Sequence, residues 1–389
     1  MTRPVALVIG AGVAGLSAAW WLQKIDWRVI VVERAADLRG GGYMMGLSGP
    51  GYGAAARMGL VPTLRAASYE IDENVYRDRR GREILRLRYR DFLQELPYLA
   101  IRRTDLVDAL DRALGGDVER RFATTVAAIS QGEDGAATAV LGDGSEIRAD
   151  LVIGADGFRS ATRRALFGPD ETCLEPLGYR FAVYDVEDAA ALEADFLSYA
   201  EPGHLAEYYS LHGSRLAAMH VWTSAESGPI VERDRWALLE KVAACSHPRV
   251  RELMRKAQDG PPPIVDDLTL VDLPQWSKGS AVLLGDAAHC LTLVSGQGAG
   301  MAMASAELLA QELARHRVRE ALAAHERRLR PDIVRLQQRS RHMAALFIPR
   351  SGLTFHLRNL VLRHMPRAWL GRYFVNAIRS ELSLIETAT

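Results

Sequence analysis

Three glycines near the N-terminus have the spacing of a site that binds a dinucleotide. Gly10, Gly12 and Gly15 directly follow an apolar run typical of a buried strand. Gly10 permits a tight turn, and Gly12 lets a pyrophosphate approach the backbone. Gly15 lets the next helix pack closely on the strand, so that the N-terminal N–H groups of the helix point at the phosphates. This spacing therefore predicts a dinucleotide site.

An acid completes this unit at the end of the second apolar run. Glu33 is placed to accept hydrogen bonds from an adenosine ribose. We also predict cofactor contacts at Ala14 and Arg34. The carboxylate fits the ribose of FAD or NAD but would repel a 2′-phosphate, so it disfavours NADP as the occupant of this turn.

Two later stretches repeat the pattern of a strand, a turn and a helix start. The first places Asp156 after an apolar run, and the second places Asp286 after another. The second continues through a glycine-rich turn that contains Gly296, Gly298 and Ala299. We expect backbone N–H groups over 295–299, with the positive end of a helix from about Met301, to stabilise negative charge there.

An arginine stands before a fourth predicted helix start. Thr104 is a suitable N-cap, and Arg103 precedes it. The guanidinium could be a solvated surface charge, or it could face a phosphate or a flavin ring. A glycine-rich stretch over 38–51 has the same two interpretations, a mobile surface loop or a backbone path against a flat cofactor, and we favour the second. We expect no regular structure in it.

Composition places these motifs in an ordinary globular protein. The chain has 389 residues, 48% hydrophobic and 25% charged, with a net charge of zero. This length suffices for two domains, and the charge favours neither nucleic acid nor a membrane surface. Cys173, Cys245 and Cys290 lack metal-ligand spacing. No apolar run reaches the roughly 18–20 residues of a membrane span, and a strand begins too early for a signal peptide. We expect a cytoplasmic monomer or homodimer that holds no metal.

The middle of the chain changes to alternating aromatic and small residues. This pattern predicts an antiparallel sheet over about 179–224. His220 and Trp222 share one face of it by alternation, but the sequence does not say which face meets the cofactor. Either His220 or Tyr209 could contact a substrate, although packing is the commoner role in a sheet. The arginine-rich end of the chain is helical in pattern, and we favour a helix docked across two domains over one lying on a membrane.

Together these motifs resemble the single-component FAD-dependent aromatic hydroxylases, a family that includes para-hydroxybenzoate hydroxylase and the tetracycline-inactivating monooxygenases. Gly10, Gly12 and Gly15 with Glu33 match the family's FAD-ADP fingerprint. Asp156-Gly157 with Ser160 and Arg163 matches its DGxxSxxR motif, and Gly285-Asp286 with Gly296 and Gly298 matches its GD motif, whose aspartate bonds the flavin ribityl chain. Arg103 looks like the arginine that members place against FAD.

The resemblance implies an α/β fold: a Rossmann-like FAD-binding domain, an inserted antiparallel-sheet substrate domain and a C-terminal helical segment. We assign 1–73, 98–176 and 275–318 to the first, 74–97 and 177–274 to the second, and 319–389 to the third. The chain departs from the family at three positions. Leu293, Gly300 and Ser305 replace the usual proline, asparagine and aspartate, which leaves the stacking of the flavin ring open.

The activity implied is that of an NAD(P)H- and FAD-dependent monooxygenase. In this family NAD(P)H reduces FAD, oxygen adds to give a C4a-hydroperoxyflavin, and an electron-rich phenol or enol attacks it. The aromatic sheet suggests an aromatic or polyketide-like substrate from secondary metabolism. Epoxidation, oxidative decarboxylation and desaturation remain alternatives on similar substrates, as does a non-catalytic FAD-binding protein. A halogenase is disfavoured because Trp222 lies in HVWTS, not in WxWxIP.

Overall fold

The computed structural model of the chain describes residues 3–38, 42–89, 97–132, 135–187, 192–293 and 296–364. The strands there are β1 Val5–Ile9, β2 Arg28–Val32, β3 Met44–Ser48, β4 Glu73–Arg77, β5 Glu83–Arg88, β6 Tyr98–Arg102, β7 Glu119–Arg121, β8 Val126–Gln131, β9 Ala137–Leu141, β10 Glu146–Ala149, β11 Leu151–Gly154, β12 Leu174–Val186, β13 Phe196–Glu201, β14 His204–Leu211, β15 Arg215–Thr223, β16 Ile264–Val271, β17 Ser277–Lys278 and β18 Ala281–Leu283. The helices are α1 Val13–Lys24, α2 Gly49–Arg57, α3 Val61–Ala67, α4 Arg103–Ala113, α5 Ala161–Phe167, α6 Arg235–Ala243, α7 Pro248–Ala257, α8 Asp286–His289, α9 Gly298–Leu313, α10 Val318–Phe347 and α11 Gly352–His364.

A six-stranded sheet carries the three motif turns. Its strand order is β17-β18-β11-β1-β2-β7, and all neighbouring pairs are parallel except β17 with β18. Val8 and Val31 pack with α1, α4 and α9 on one face, while Leu7 and Ile30 pack with the sheet β10-β9-β8 on the other. Both faces are covered, which is why these strands read as continuous apolar runs. The turns after β1, β11 and β18 consequently meet at one edge.

A seven-stranded sheet, of order β16-β12-β15-β14-β13-β4-β5, forms the second layer. Its outer face, which includes Tyr184, Tyr208 and Trp222, packs against α6 and α7. Its inner face includes Phe181 and Val221, which pack with α10 and α11. The predicted fold class, with an FAD-binding α/β core, a mainly antiparallel sheet and C-terminal helices, is confirmed.

Several boundaries differ from those predicted. The stretch expected to lack regular structure contains β3 and the start of α2, because β3 pairs antiparallel with β6 and so gains backbone hydrogen bonds. Helix α9 begins at Gly298, three residues before Met301. Helix α4 begins at Arg103 with Arg102 at the N-cap, so Thr104 is not the cap. Residues 39–41, 294–295 and 365–389 lie outside the described residues.

The described C-terminal part is helical, as predicted. Helix α10 ends at Phe347 and α11 begins at Gly352, so the break falls around Pro349. Pro331 lies inside α10 without ending it. Among the residues described, none of the helices combines the length and the apolar character that crossing a bilayer requires.

Candidate cofactor-binding site

The glycine turn after β1 is built around two close approaches of the backbone. Gly10 has φ +108°, and a Cβ there would lie 2.5 Å from the carbonyl oxygen of Ala155. A Cβ on Gly15 would lie 1.9 Å from the carbonyl oxygen of Gly10. Both distances are impossible for real Cβ atoms, so only glycine lets α1 sit this close to the strand ends. Gly10 and Gly15 therefore fix the position of α1 relative to the strand ends, on the side of the turn away from the cleft.

Glu33 binds the same turn directly. Its Oε2 accepts a hydrogen bond from the N–H of Ala11 at 2.9 Å, and its Oε1 accepts one from the N–H of Ala35 at 2.8 Å. Each carboxylate oxygen has a second lone pair, so these bonds leave acceptors for a ribose. Arg34 is exposed. Glu33 therefore orders the turn as well as presenting acceptors at the strand end.

A cleft runs from the glycine turn to the seven-stranded sheet and contains about 1090 Å³ of empty space, including the part open to solvent. The α1 turn, the start of α4 and the turn before α9 line one part of it. The inner face of the sheet lines the opposite part. From the predicted cofactor residues the cleft gathers Gly12, Ala14, Arg103, Asp286, Gly296, Gly298 and Ala299.

Arg103 and Asp286 supply the opposite charges of this cleft. Arg103 lies next to the glycine turn, since a Cβ on Gly12 would be 3.5 Å from its Nη2. Within the described ranges no carboxylate lies in salt-bridge distance of this guanidinium. Asp286 opens into the cleft but is otherwise surrounded by protein. Burial raises the pKa of Asp286 above its ordinary value, and the charge of Arg103 opposes that rise.

The residues fit the dinucleotide that the motifs imply. Among the described residues no side chain caps the N-terminus of α1 at Gly12, so its first N–H groups remain for a ligand. The guanidinium of Arg103 beside that end, which pairs with no carboxylate among the described residues, adds a second donor for a pyrophosphate. Helix α9 begins after Gln297, and its N-terminus faces the same cleft through Gly298 and Ala299. A positive end of a helix stabilises negative charge on a bound ring. The first helix end would suit a pyrophosphate, and the second would suit the ring.

The aspartate of the second motif accepts hydrogen bonds at the start of α5, whose N-cap is Ser160. Asp156 Oδ2 accepts from the backbone N–H of Thr162 at 2.9 Å, and its Oδ1 accepts from Ser160 Oγ. Its neighbours Ala155, Gly157 and Phe158 line the cleft. Arg163 is fully buried and donates to the carbonyl of Ala287 at 3.1 Å. In this structure the motif thus joins α5 to the turn of Asp286 and shapes the cleft through its backbone.

Two of the three unusual positions have packing reasons in the structure, and the third lines the site. Gly300 lies against Gly51 of α2, where a Cβ on Gly51 would be 2.3 Å from the Cα of Gly300. The hydroxyl of Ser305 is buried and 2.9 Å from His325 Nε2. Leu293 lines the cleft. The close crossing of α2 and α9 and this serine–histidine pair belong to the frame of the site.

The two predicted substrate contacts lie on opposite faces of the seven-stranded sheet. His220 is fully buried on the outer face, where its Nε2 is 2.9 Å from Tyr184 Oη and its Nδ1 is 3.0 Å from His204 Nε2. Burial lowers its pKa well below the ordinary value. Strand alternation puts His220 on the face covered by α6 and α7, so the structure does not bring it to the cleft. Tyr209 lies on the inner face and packs near Met44, which lines the cleft.

Further cleft residues were absent from the predicted site. Tyr43 precedes β3, and burial raises its pKa to about 12 although the charge of Arg103 opposes this. Phe181, Leu268 and Thr269 come from β12 and β16. The glycine-rich stretch around Tyr43 was the available signal. No signal in the sequence indicated that residues of β12 and β16 line the cleft, because this depends on which strands are neighbours in space.

The fold and the cleft define a flavoprotein that binds FAD at the edge of a Rossmann-like sheet. The chain matches the family described as FAD binding domain over residues 3–226, and it belongs to this family. The flavin-dependent monooxygenase of an unknown prokaryotic organism is 28% identical over 322 residues, which are 80% of this chain and 81% of that protein. The 3-hydroxybenzoate 6-hydroxylase 1 of Aquipseudomonas alcaligenes is 29% identical over 377 residues, 92% and 93% of the two chains.

A solved structure shows the same fold. The tetracycline destructase Tet(51) superposes with a TM-score of 0.82 at 24% identity, covering 98% of this chain and 99% of that one. The predicted resemblance to the FAD-dependent aromatic hydroxylases and tetracycline-inactivating monooxygenases is therefore confirmed. The chain therefore belongs to the FAD binding domain family, and proteins named flavin-dependent monooxygenase and 3-hydroxybenzoate 6-hydroxylase are among its relatives.

Proposed function

We propose that the chain hydroxylates an aromatic or polyketide-like small molecule, using FAD, NAD(P)H and molecular oxygen. The observation that carries this proposal is the single cleft between the dinucleotide turn and the inner face of the sheet. Gly12, Arg103 and Asp286 line one side of it, and Phe181 and Leu268 line the other. A substrate on the sheet would then lie against the reactive edge of the flavin.

Bound FAD would supply the redox chemistry, taking a hydride from NAD(P)H and transferring one atom of dioxygen to the substrate. The chain's own residues bind and orient. The N-terminus of α1 and Arg103 hold the pyrophosphate, Asp286 accepts hydrogen bonds from the ribityl hydroxyls, and the start of α9 stabilises negative charge on the ring. Apolar side chains such as Phe181 and Leu268 exclude water from the reacting edge.

The test is NADH or NADPH oxidation by the FAD-loaded protein with and without a panel of phenols and enols. Oxidation that a substrate stimulates, matched by a product bearing one added oxygen, supports the proposal. Oxidation that yields only hydrogen peroxide for every substrate contradicts it. An epoxide or a decarboxylated product would favour the alternative chemistry on the same cofactor, and failure of both nicotinamides to reduce the flavin would favour a non-catalytic FAD-binding protein.

A further inference from the structure

Helix α11 presents apolar side chains to solvent instead of polar ones. Among the described residues, eight large apolar side chains are exposed, and four of them lie on this one helix. Leu353 is 80% exposed, Leu357 59%, Leu360 56% and Val361 51%. Their spacing along the chain places them on a single face of an α-helix. We call these four residues the apolar stripe.

The opposite side of α11 packs on the protein. Phe355 is buried and belongs to the apolar cluster on the inner face of the seven-stranded sheet. Helix α11 contacts only β5 of that sheet closely, whereas α10 contacts β12 of one sheet and β17 of the other. A helix on the surface of a soluble domain normally turns polar side chains outward. Helix α11 thus has a buried anchor at Phe355 and an apolar outer face.

A cavity borders the apolar stripe on one side. It contains about 1370 Å³ of empty space, including the part open to solvent, and lies between α11 and the turn that joins β4 to β5. Leu360 belongs both to the stripe and to the wall of this cavity. Arg363 of α11 also lines the cavity, as do Arg79 and Arg80 of the turn, and all three are exposed. Apolar side chains and guanidinium groups therefore lie side by side on this surface.

The guanidinium groups beside the stripe have no countercharge in contact with them. Within the described ranges Arg79, Arg80 and Arg363 form no ion pair. Three carboxylates also line the cavity, but each of them is already bound to another side chain. The pairs are Asp78 with Arg82 at 2.7 Å, Glu83 with Arg86 at 2.8 Å and Glu201 with His204 at 2.7 Å.

The sequence around α11 carries the same sign of charge. Residues 350–380 contain six arginines and no aspartate or glutamate. The chain as a whole has a net charge of zero, so this basic segment is a local excess that the overall charge conceals. A second copy of the chain would bring the same arginines against these, and like charges repel. An anionic partner would be attracted. Positive charge beside an exposed apolar helix face is the combination that binds an anionic bilayer surface.

We propose that the apolar stripe and the arginines beside it bind the surface of a bilayer that contains anionic phospholipids. The stripe enters the boundary between headgroups and acyl chains, while Arg79, Arg80 and Arg363 bind lipid phosphates. Helix α11 lies on the bilayer and does not cross it, because its 13 residues are fewer than the roughly 20 that a span needs. None of these residues lines the cofactor cleft, so this binding is independent of the proposed function.

The test is co-sedimentation of the full-length, FAD-loaded protein with sucrose-filled vesicles, which requires no turnover. One set of vesicles is pure phosphatidylcholine, and the other is an equimolar mixture of phosphatidylcholine and phosphatidylglycerol. The protein should bind the mixed vesicles at least about tenfold more tightly, since each arginine near an anionic surface contributes about fivefold. Added salt should weaken this binding, because it screens the charges.

Two double variants test the two parts of the surface. Leu353→Ser combined with Leu357→Ser should weaken binding to the mixed vesicles at least about tenfold, because the apolar burial is lost. Arg79→Gln combined with Arg80→Gln should weaken it by about tenfold or more and should also lower its salt dependence. All four side chains are exposed, so the flavin spectrum and the thermal midpoint should stay as in the wild-type protein.

Val231→Ser and Arg233→Gln are the matched controls. Val231 is 59% exposed, as Leu357 is, and the side chain of Arg233 is 84% exposed. Neither residue belongs to α11 or lines the cavity beside it. Both variants should therefore bind the mixed vesicles as the wild-type protein does.

Three results would overturn the proposal. The first is equal binding to the two kinds of vesicle, or an equal loss of binding in the leucine variant and in Val231→Ser. The second is no vesicle binding together with a dimer that the leucine variant converts to a monomer in size-exclusion chromatography, which would assign the stripe to a second copy. The third is no vesicle binding together with a lower thermal midpoint of the leucine variant, which would mean that residues outside the described ranges cover the stripe.

Discussion

Replacing Arg103 by methionine should weaken FAD binding while leaving the fold intact. The guanidinium lies next to the glycine turn and has no carboxylate partner within salt-bridge distance in the described part of the chain. Its removal therefore breaks no ion pair among the described residues, although Asp286 loses the positive charge that opposes the rise of its pKa. A hydrogen bond involving a charged group contributes about 1.5–3 kcal/mol. Arg103 is partly exposed, which favours the lower part of this range.

About 2 kcal/mol corresponds to a roughly 30-fold increase in Kd for FAD. The assay is titration of the apoprotein with FAD, followed by quenching of flavin fluorescence at low and at high ionic strength. Added salt should weaken binding to the wild-type protein more than to Arg103→Met. Arg112→Gln is the control, since Arg112 is an exposed arginine near the far end of the same helix. A Kd within about threefold of wild type, or an equal salt dependence in both proteins, would refute the assignment of Arg103 to the pyrophosphate.

Three further predictions concern the frame of the site. Gly15→Ala places a Cβ 1.9 Å from the carbonyl oxygen of Gly10, so we expect the free energy of unfolding of the apoprotein in urea to fall by about 1–3 kcal/mol or more. Gly116→Ala is the control and should be neutral, because a Cβ at that position would have no atom within 4 Å. Equal effects of the two substitutions would contradict this explanation. Gly12→Val should abolish saturable FAD binding while the apoprotein keeps its thermal midpoint, because the side chain fills the space beside Arg103; retention of yellow colour after gel filtration would count against it. Burial lowers the pKa of His325 to about 3 and that of His289 to about 4, and the unfolded chain protonates both below about 6.5. The contribution of these histidines to the free energy of unfolding should therefore be fully present above about pH 6.5 and should decline as pH falls towards 4. Urea titrations at several pH values should show a smaller decline of this free energy in His325→Gln than in the wild-type protein. The same pH dependence in both proteins would rule out His325 as a source of the decline.

Local signals in the chain predicted the turns of the site. Only glycine fits at positions 10 and 15, because a Cβ there would collide with a backbone carbonyl oxygen. The spacing of these two glycines therefore indicates the local structure by itself. The alternation of β15 likewise placed His220 and Trp222 on one face, and the structure agrees. Helix and strand limits were less certain. Part of the glycine-rich stretch forms β3 because it pairs with β6. No local feature of that stretch predicts that β6 is its partner.

What the sequence determined by itself was the class of fold and most of the predicted residues that line the cleft, because each depends on short-range geometry: a strand, a turn and a helix start. Only the tertiary structure decided the orientation of the second sheet. It turned His220 towards α6 and α7 and turned Glu207 towards the inner face, since helices can cover either side of an alternating strand. It also decided that Asp156 accepts hydrogen bonds from Ser160 and from the backbone of Thr162 at the start of α5, because this role requires a hydrogen-bond geometry that a motif does not specify.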